Sequence, residues 1–201
     1  MTLFEKWSIV VGIAGALATF LAVMVALFGE KIRQLWSSPK LQVRLFEPSV
    51  TPNNAGVKGW YYLLQVSNQS RSNPAANVRV LLSKIERKAP DGFWVEEPFS
   101  GPVQVMWRWP QFMAQYQTIG PPQIATFACV HQNEKEISLR SYWFPNNMRR
   151  SILPGEAVRL SFVAASDVSE SDVRSVDISW DGKWTEDREE MKKNLRIVEC
   201  A

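Results

Sequence analysis

From Trp7 to Gly29 the chain carries no charged residue, although 21% of the sequence is Asp, Glu, Lys or Arg. At 1.5 Å per residue, roughly 22 helical residues reach about 33 Å, enough to cross a hydrocarbon core of about 30 Å. The run therefore predicts a transmembrane helix over about residues 7–29 and a chain tethered to a bilayer. A secretory signal would need a cationic start, an apolar stretch of about 7–15 residues and a small-x-small cleavage site. Here Glu5 offsets Lys6, the apolar stretch is longer, and Phe28-Gly29-Glu30-Lys31 is a poor cleavage site. A buried soluble helix would show a polar stripe, where this run has only Ser8 and Thr19.

Orientation follows from the flanking cations, because short positively charged flanks stay on the cytoplasmic side. Lys6 stands alone before the run, while Lys31, Arg33, Lys40 and Arg44 follow it. The expected placement is single-pass in the cell inner membrane, with the N-terminus outside and the larger part cytoplasmic; the opposite topology is the alternative. Cys129 and Cys200 form no evident framework of spaced cysteines, in keeping with a reducing compartment. Asn68-Gln69-Ser70 matches a glycosylation sequon, which has no meaning in a cytosolic domain.

Within the run, Ala14, Ala18, Ala22 and Ala26 recur every fourth residue, with Gly15 and Thr19 beside them and Gly12 and Ala16 one turn earlier. Small residues at that spacing let helix backbones approach closely in lipid. Self-association into a homo-oligomer through Gly12, Ala14, Gly15, Ala18, Ala22 and Ala26 is expected; the plainer reading is that alanine is frequent in membrane helices. The helix should continue for two turns, with Ile32, Leu35 and Trp36 on one side in the headgroup region. Ser37-Ser38-Pro39 should end it, since proline disfavours helical geometry in the preceding residue. Residues 1–39 thus form the membrane and juxtamembrane segment, and 40–201 one further domain.

That domain has a period of two. Leu41, Val43 and Leu45, then Trp60, Tyr62, Leu64 and Val66, then Val78, Val80 and Leu82 alternate with other residues, as do Val158, Leu160 and Phe162, and Val176, Ile178 and Trp180. Alternation of this kind marks half-buried strands. Turn chemistry separates them at Pro52-Asn53-Asn54, Ser72-Asn73-Pro74, Pro90-Asp91-Gly92, Pro154-Gly155 and Asp181-Gly182. Short strands with such separators predict a mainly β chain: an antiparallel β-sandwich behind one N-terminal transmembrane helix. A short helix near the end should be capped by Thr185, carry Glu186 and Asp187 in its first turn and Lys192 and Lys193 in its last, and pair Glu189 with Lys193. Leu195 and Ile197 should return the chain to the sheet.

Tyr62-Leu63-Leu64-Gln65-Val66-Ser67-Asn68 followed by Pro74-Ala75-Ala76-Asn77-Val78-Arg79-Val80 resembles the paired strands of bacterial immunoglobulin-like modules, as does Leu153-Pro154-Gly155-Glu156 leading into Val158–Phe162. Ile178-Ser179-Trp180-Asp181-Gly182-Lys183-Trp184, with Met191 and Leu195–Val198, is similar to the end of uncharacterised bacterial proteins that join one N-terminal transmembrane helix to a cytosolic immunoglobulin-like β-sandwich. The resemblance implies that fold over most of the chain and carries no catalytic residue across. The aromatic-rich segment from Phe93 to Gln123, with Trp94, Trp107, Trp109 and Tyr116, departs from a minimal sandwich and reads as an elaborated edge or a long inserted loop.

Enzyme chemistry finds little footing. One histidine, His131, builds no multi-histidine metal site, and Cys129 two positions away fits a buried strand residue better than a catalytic partner. There is no phosphate-cradling glycine loop, G-x-S-x-G or C-x-x-C. No catalytic residue, cofactor or metal is expected, and His131 would be the only obvious base for the membrane-bound enzyme that remains the weakest alternative. Binding fits better: Trp107, Arg108 and Trp109, with Arg71, Arg149 and Arg150, supply flat faces and forked donors for a small anionic ligand or an acidic protein. The competing reading packs Trp107 and Trp109 on the core and leaves the arginines solvated. A net charge of +3 makes no footprint for extended nucleic acid. Two readings remain open: a non-enzymatic membrane sensor or effector that clusters through its helix, in bacterial signalling or defence, and a constitutive anchor or adaptor that docks another protein.

Overall fold

The computed structural model describes residues 3–52, 58–70, 73–108, 115–120, 124–132 and 136–200, with backbone alone for 3, 5–6, 8–10, 30–37, 47–52, 58 and 124–132. The chain is mainly β, with an N-terminal helix, antiparallel sheets and a short C-terminal helix, and it divides into two units, 1–38 and 39–201. Of the turns expected from the sequence, Asn53-Asn54 and Ser72 lie outside the described residues.

The first unit is one helix, α1 (Leu3–Ser37), 35 residues long. It ends at Ser37, and Ser38, the residue before Pro39, is no longer helical. Its Val11–Gly29 segment is long and apolar enough to cross a membrane, with none of it buried. Thr19 Oγ1 donates to the Gly15 carbonyl at 2.9 Å, so that hydroxyl is satisfied within its own helix.

In the second unit, one sheet contains β1 (Leu41–Pro52), β2 (Lys58–Asn68), β7 (Ile124–Gln132), β8 (Ile137–Leu139) and β9 (Ser151–Ile152), in that spatial order. The other runs β12 (Leu195–Cys200), β11 (Arg174–Trp180), β10 (Ala157–Ala165), β3 (Ala75–Lys88) and β4 (Trp94–Glu96), with β5 (Val103–Gln104) and β6 (Gln117–Ile119) also on β3. Neighbours pair antiparallel throughout. The alternating residues of both sheets meet in one core: Val43, Trp60, Leu64 and Val66 from the first, Val80, Leu82, Leu160, Phe162, Val176 and Ile178 from the second. Each such side chain contributes about 1.5–3 kcal/mol by leaving water.

The Phe93–Gln123 segment is an elaborated edge over its described part. A turn in which Ala89 N–H donates to the Phe93 carbonyl and Gly92 adopts a φ of +90° reverses the chain after β3. The return arm then follows β3 as β4, β5 and β6, pairing Glu86 with Glu96, Leu82 with Val103 and Ala75 with Ile119. Asn77, at a φ of +52°, sits in the irregularity between the Ala75 and Val78 pairs and donates to Asp167 at 2.7 Å. Beyond β5, Met106 N–H donates to the Arg140 carbonyl and Ser141 Oγ to the Gln104 carbonyl at 2.7 Å, which ties this edge to the segment after β8.

At the end of the chain, indole N–H groups from opposite sheets fix one loop: Trp60 donates to the Thr185 carbonyl at 2.8 Å and Trp180 to the Lys183 carbonyl at 3.0 Å. Helix α2 (Arg188–Asn194) follows. Its cap is Asp187, not Thr185: with α2 beginning at Arg188, the Asp187 carboxylate accepts from Glu190 N–H at 2.8 Å, and Thr185 Oγ1 accepts from Asp187 N–H. Glu189 pairs with Lys192 rather than Lys193, at 2.7 Å.

Candidate functional site

The alternation that sends Val158, Leu160, Val176 and Ile178 inward leaves Ala157, Arg159, Asp177 and Ser179 on the outer face of the second sheet. Register aligns these positions. Lys88 pairs with Trp94, Arg87 with Val158, Ala157 with Ser179, and Ser179 with Arg196. One rung across five strands therefore reads Trp94, Lys88, Ala157, Ser179, Arg196, over roughly 19 Å at the usual strand spacing. The two central residues are small, and a groove of about 300 Å³ opens above them, lined also by Asp177 and Val198.

The next rung holds the groove's fixed wall. Arg159 donates through Nε to Asp177 Oδ1 at 2.6 Å and through Nη2 to Oδ2 at 2.9 Å, while its guanidinium carbon lies 4.4 Å from the centre of the Trp94 ring. Cys200 Sγ donates to Asp177 Oδ1 at 3.0 Å. The Arg159 hydrogen bonds hold the Asp177 carboxyl below its ordinary value, with Cys200 and Lys88 adding to the effect against partial desolvation. Arg159 is pushed up in turn by Asp177. Burial, then the Asp177 carboxylate, raises the Cys200 thiol, which stays protonated at neutral pH. Asp177 is thus matched by Arg159, Glu86 and Glu96 follow on the same rung with Lys84 as their partner, and Lys88 and Arg196 remain as the two groove cations, beside the Trp94 indole.

Of the binding residues expected from sequence, Trp107, Arg108, Arg149 and Arg150 do not line this groove. Trp107 is a core residue with 2% of its surface exposed, its indole N–H donating to the Gln115 carbonyl at 2.9 Å. The same carbonyl accepts from Gln104 Nε2 at 3.0 Å, stapling the loop between β5 and β6 to its base. Trp107 therefore offers no open ring face, because packing and the Gln115 bond both hold it inside. Arg108 is partly buried beside it. Arg149 belongs to a balanced network in which Arg87 bonds Glu97 and Glu156, Arg149 bonds Glu156, and Arg149 N–H donates to Glu97 Oε1 at 2.9 Å. Arg150 lies 4.6 Å from the Phe144 ring centre. Arg71 and Trp109 lie outside the described residues, as do the side chains of Cys129 and His131. Gly12, Ala14, Gly15, Ala18, Ala22 and Ala26 are all exposed on α1, and beyond its chain neighbours and the nearby helix backbone nothing lies within 4 Å of a Cβ built on Gly12 or Gly15.

Asn68 is 1% exposed, with Nδ2 donating to the Asn73 and Ile119 carbonyls and Oδ1 accepting from Ser70 N–H. Its carboxamide is committed to holding the loop after β2 against β6, so the folded sequon is closed to modification.

Sequence reasoning missed Lys88, Trp94, Arg159, Asp177 and Arg196 as a group. The outward alternation of Arg159 and Asp177 was a usable signal; the approach of Trp94 and Arg196, far apart in sequence, depends on strand order. No protein-family model matches the chain and no curated protein matches it, so the chemistry of the site rests on its own residues.

Proposed function

We propose that the chain is a non-enzymatic, single-pass membrane sensor or effector, in which α1 spans the inner membrane and self-associates while the cytoplasmic sandwich binds a small anionic ligand. The observation that carries the reading is the uncovered apolar segment Val11–Gly29. A helix of that length leaves more contiguous apolar surface than soluble proteins tolerate, and lipid removes the penalty. The open backbone at Gly12 and Gly15 supports close helix approach in lipid. The excess of cations after the span supports a cytoplasmic sandwich, and the cationic groove supports an anionic ligand. The resemblance to bacterial membrane-anchored immunoglobulin-like sandwiches extends the reading to bacterial signalling or defence.

Alkaline carbonate extraction of membranes carrying the full-length chain, with protease applied to spheroplasts and to inverted vesicles, tests the anchor and its orientation. The chain should stay with the membrane and lose its sandwich only in inverted vesicles. Release into the supernatant would overturn the anchor, and digestion in spheroplasts would overturn the orientation.

One observation favours the adaptor as a second reading. Phe93 and Val95, at and beside the turn between β3 and β4, are 73% and 56% exposed, apolar surface that a protein partner would cover. Under that reading Phe93→Ser with Val95→Ser loses a co-purifying protein, whereas changes on the small-residue face of α1 alter nothing.

A further inference from the structure

We propose that the groove over Ala157 and Ser179 binds a mononucleotide, its phosphate between Lys88 and Arg196 and its base against Trp94; this rests on the reading of the sandwich as a ligand-binding module. Volume sets the scale. About 300 Å³ lies at the lower end of small-molecule sites, which run from about 300 to 1,000 Å³. A single nucleotide-sized unit fits that space, whereas a peptide or polynucleotide would need a longer track.

Charge selects the phosphate. Lys88 and Arg196 are exposed, line the groove from its two sides and form no ion pair among the described residues. An arginine fork binds phosphate oxygens two at a time, and a lysine ammonium adds a mobile point charge. Ser179, half-buried on the floor, brings a hydroxyl that can donate to the same group. Arg159 adds little net attraction for the anion, because its charge is matched by Asp177, to which it donates two of its five N–H groups.

The indole selects a flat partner. Trp94 is partly buried at the groove wall, and the Arg159 guanidinium, 4.4 Å from the ring centroid, covers one face of its ring, so the base meets the opposite face. Aromatic stacking is tolerant of base identity, so the site is expected to distinguish a nucleotide from a bare anion more strongly than one base from another. The small side chains of Ala157 and Ser179 leave the sheet surface open between the cations; larger residues there would fill the groove.

The test is calorimetric titration of the full-length chain in nanodiscs of uncharged lipid with AMP, GMP, CMP and UMP, and with adenosine and inorganic phosphate as separate arms. At least one mononucleotide should bind, at least tenfold more tightly than adenosine or phosphate. Arg196→Gln and Trp94→Leu should each weaken it by about tenfold or more, and Ala157→Leu should abolish it. Arg196 is exposed, so Arg196→Gln keeps the test valid even if Trp94→Leu disturbs the fold. Phosphate binding equal to the nucleotide, nucleotide binding indifferent to Arg196→Gln, or no binding by any of the four nucleotides would overturn the proposal. Persistent self-association of the helix in such a result would leave the membrane-sensor reading standing with another ligand; loss of association with nucleotide binding intact would do the reverse.

Discussion

Arg159 and Asp177 face each other across β10 and β11 in direct register, joined by two hydrogen bonds of 2.6 and 2.9 Å. Their side chains are 28% and 32% exposed, so solvent screens the pair and its worth is modest. The sign of its pH dependence follows from Asp177, whose folded pKa lies below the unfolded value. The stabilisation is complete above about pH 4, the usual unfolded aspartate value, and is lost as pH falls through the lower folded one. Asp177→Asn should therefore cost about 1 kcal/mol or less at pH 7, and its thermal unfolding should converge on that of the parent in acid. A difference that widens as pH falls would contradict this.

The same carboxylate controls Cys200. Its thiol is raised first by burial and then by Asp177, so alkylation near neutral pH should be slow. Asp177→Asn removes the negative charge that favours the protonated thiol, and labelling at Cys200, followed by peptide mass spectrometry, should accelerate. Unchanged labelling would show that burial alone protects the thiol.

Trp107 and Trp94 separate packing from recognition. Trp107, 2% exposed and hydrogen-bonded to Gln115, should cost about 3–5 kcal/mol when replaced by alanine. Trp94 lies at the sheet edge against Arg159, and Trp94→Ala should cost much less in chemical denaturation while removing one wall of the groove. Equal losses of stability would contradict the division between a core tryptophan and a site tryptophan.

Much of the second sheet was legible because its strands are half-buried: the alternating Val158, Leu160 and Phe162 and Val176, Ile178 and Trp180 are all buried. The path after β3 was not, because its strands are only two or three residues long and draw their stability from the edge of β3 rather than from any pattern of their own. The groove was hidden for a related reason. Arg159 and Asp177 belong to consecutive strands, so their pairing could have been found by folding the polar stretch 166–173 into a hairpin. Trp94 reaches Arg159 only because β3 separates β4 from β10, and Arg196 joins the rung only because β12 pairs with β11. Trp107, Arg108 and Trp109 drew notice by adjacency in sequence, which says nothing about which ring is buried.

Two glycine turns differ in how closely the chain approaches them. Gly182 has a φ of +93°, and a Cβ placed on it would lie 2.7 Å from Pro154 Cβ. Gly182→Ala combines backbone strain with a clash against a rigid ring, and should destabilise the sandwich by about 1–3 kcal/mol. Gly92→Ala, with a φ of +90° but open space around it, should cost only the backbone part. Thermal unfolding of the two variants side by side should rank Gly182→Ala as the more damaging; the opposite order would contradict the close contact with Pro154.

The central claim is that the span assembles as well as anchors. Resonance energy transfer between differently labelled full-length copies at low density in bilayers measures this most directly, with Gly15→Ile and Ala18→Ile as variants that block close backbone approach. The account predicts transfer above the random-proximity level for the parent chain and its loss in both variants, with the chain still in the membrane. Transfer at the random level for the parent, or equal transfer in parent and variants, would contradict it.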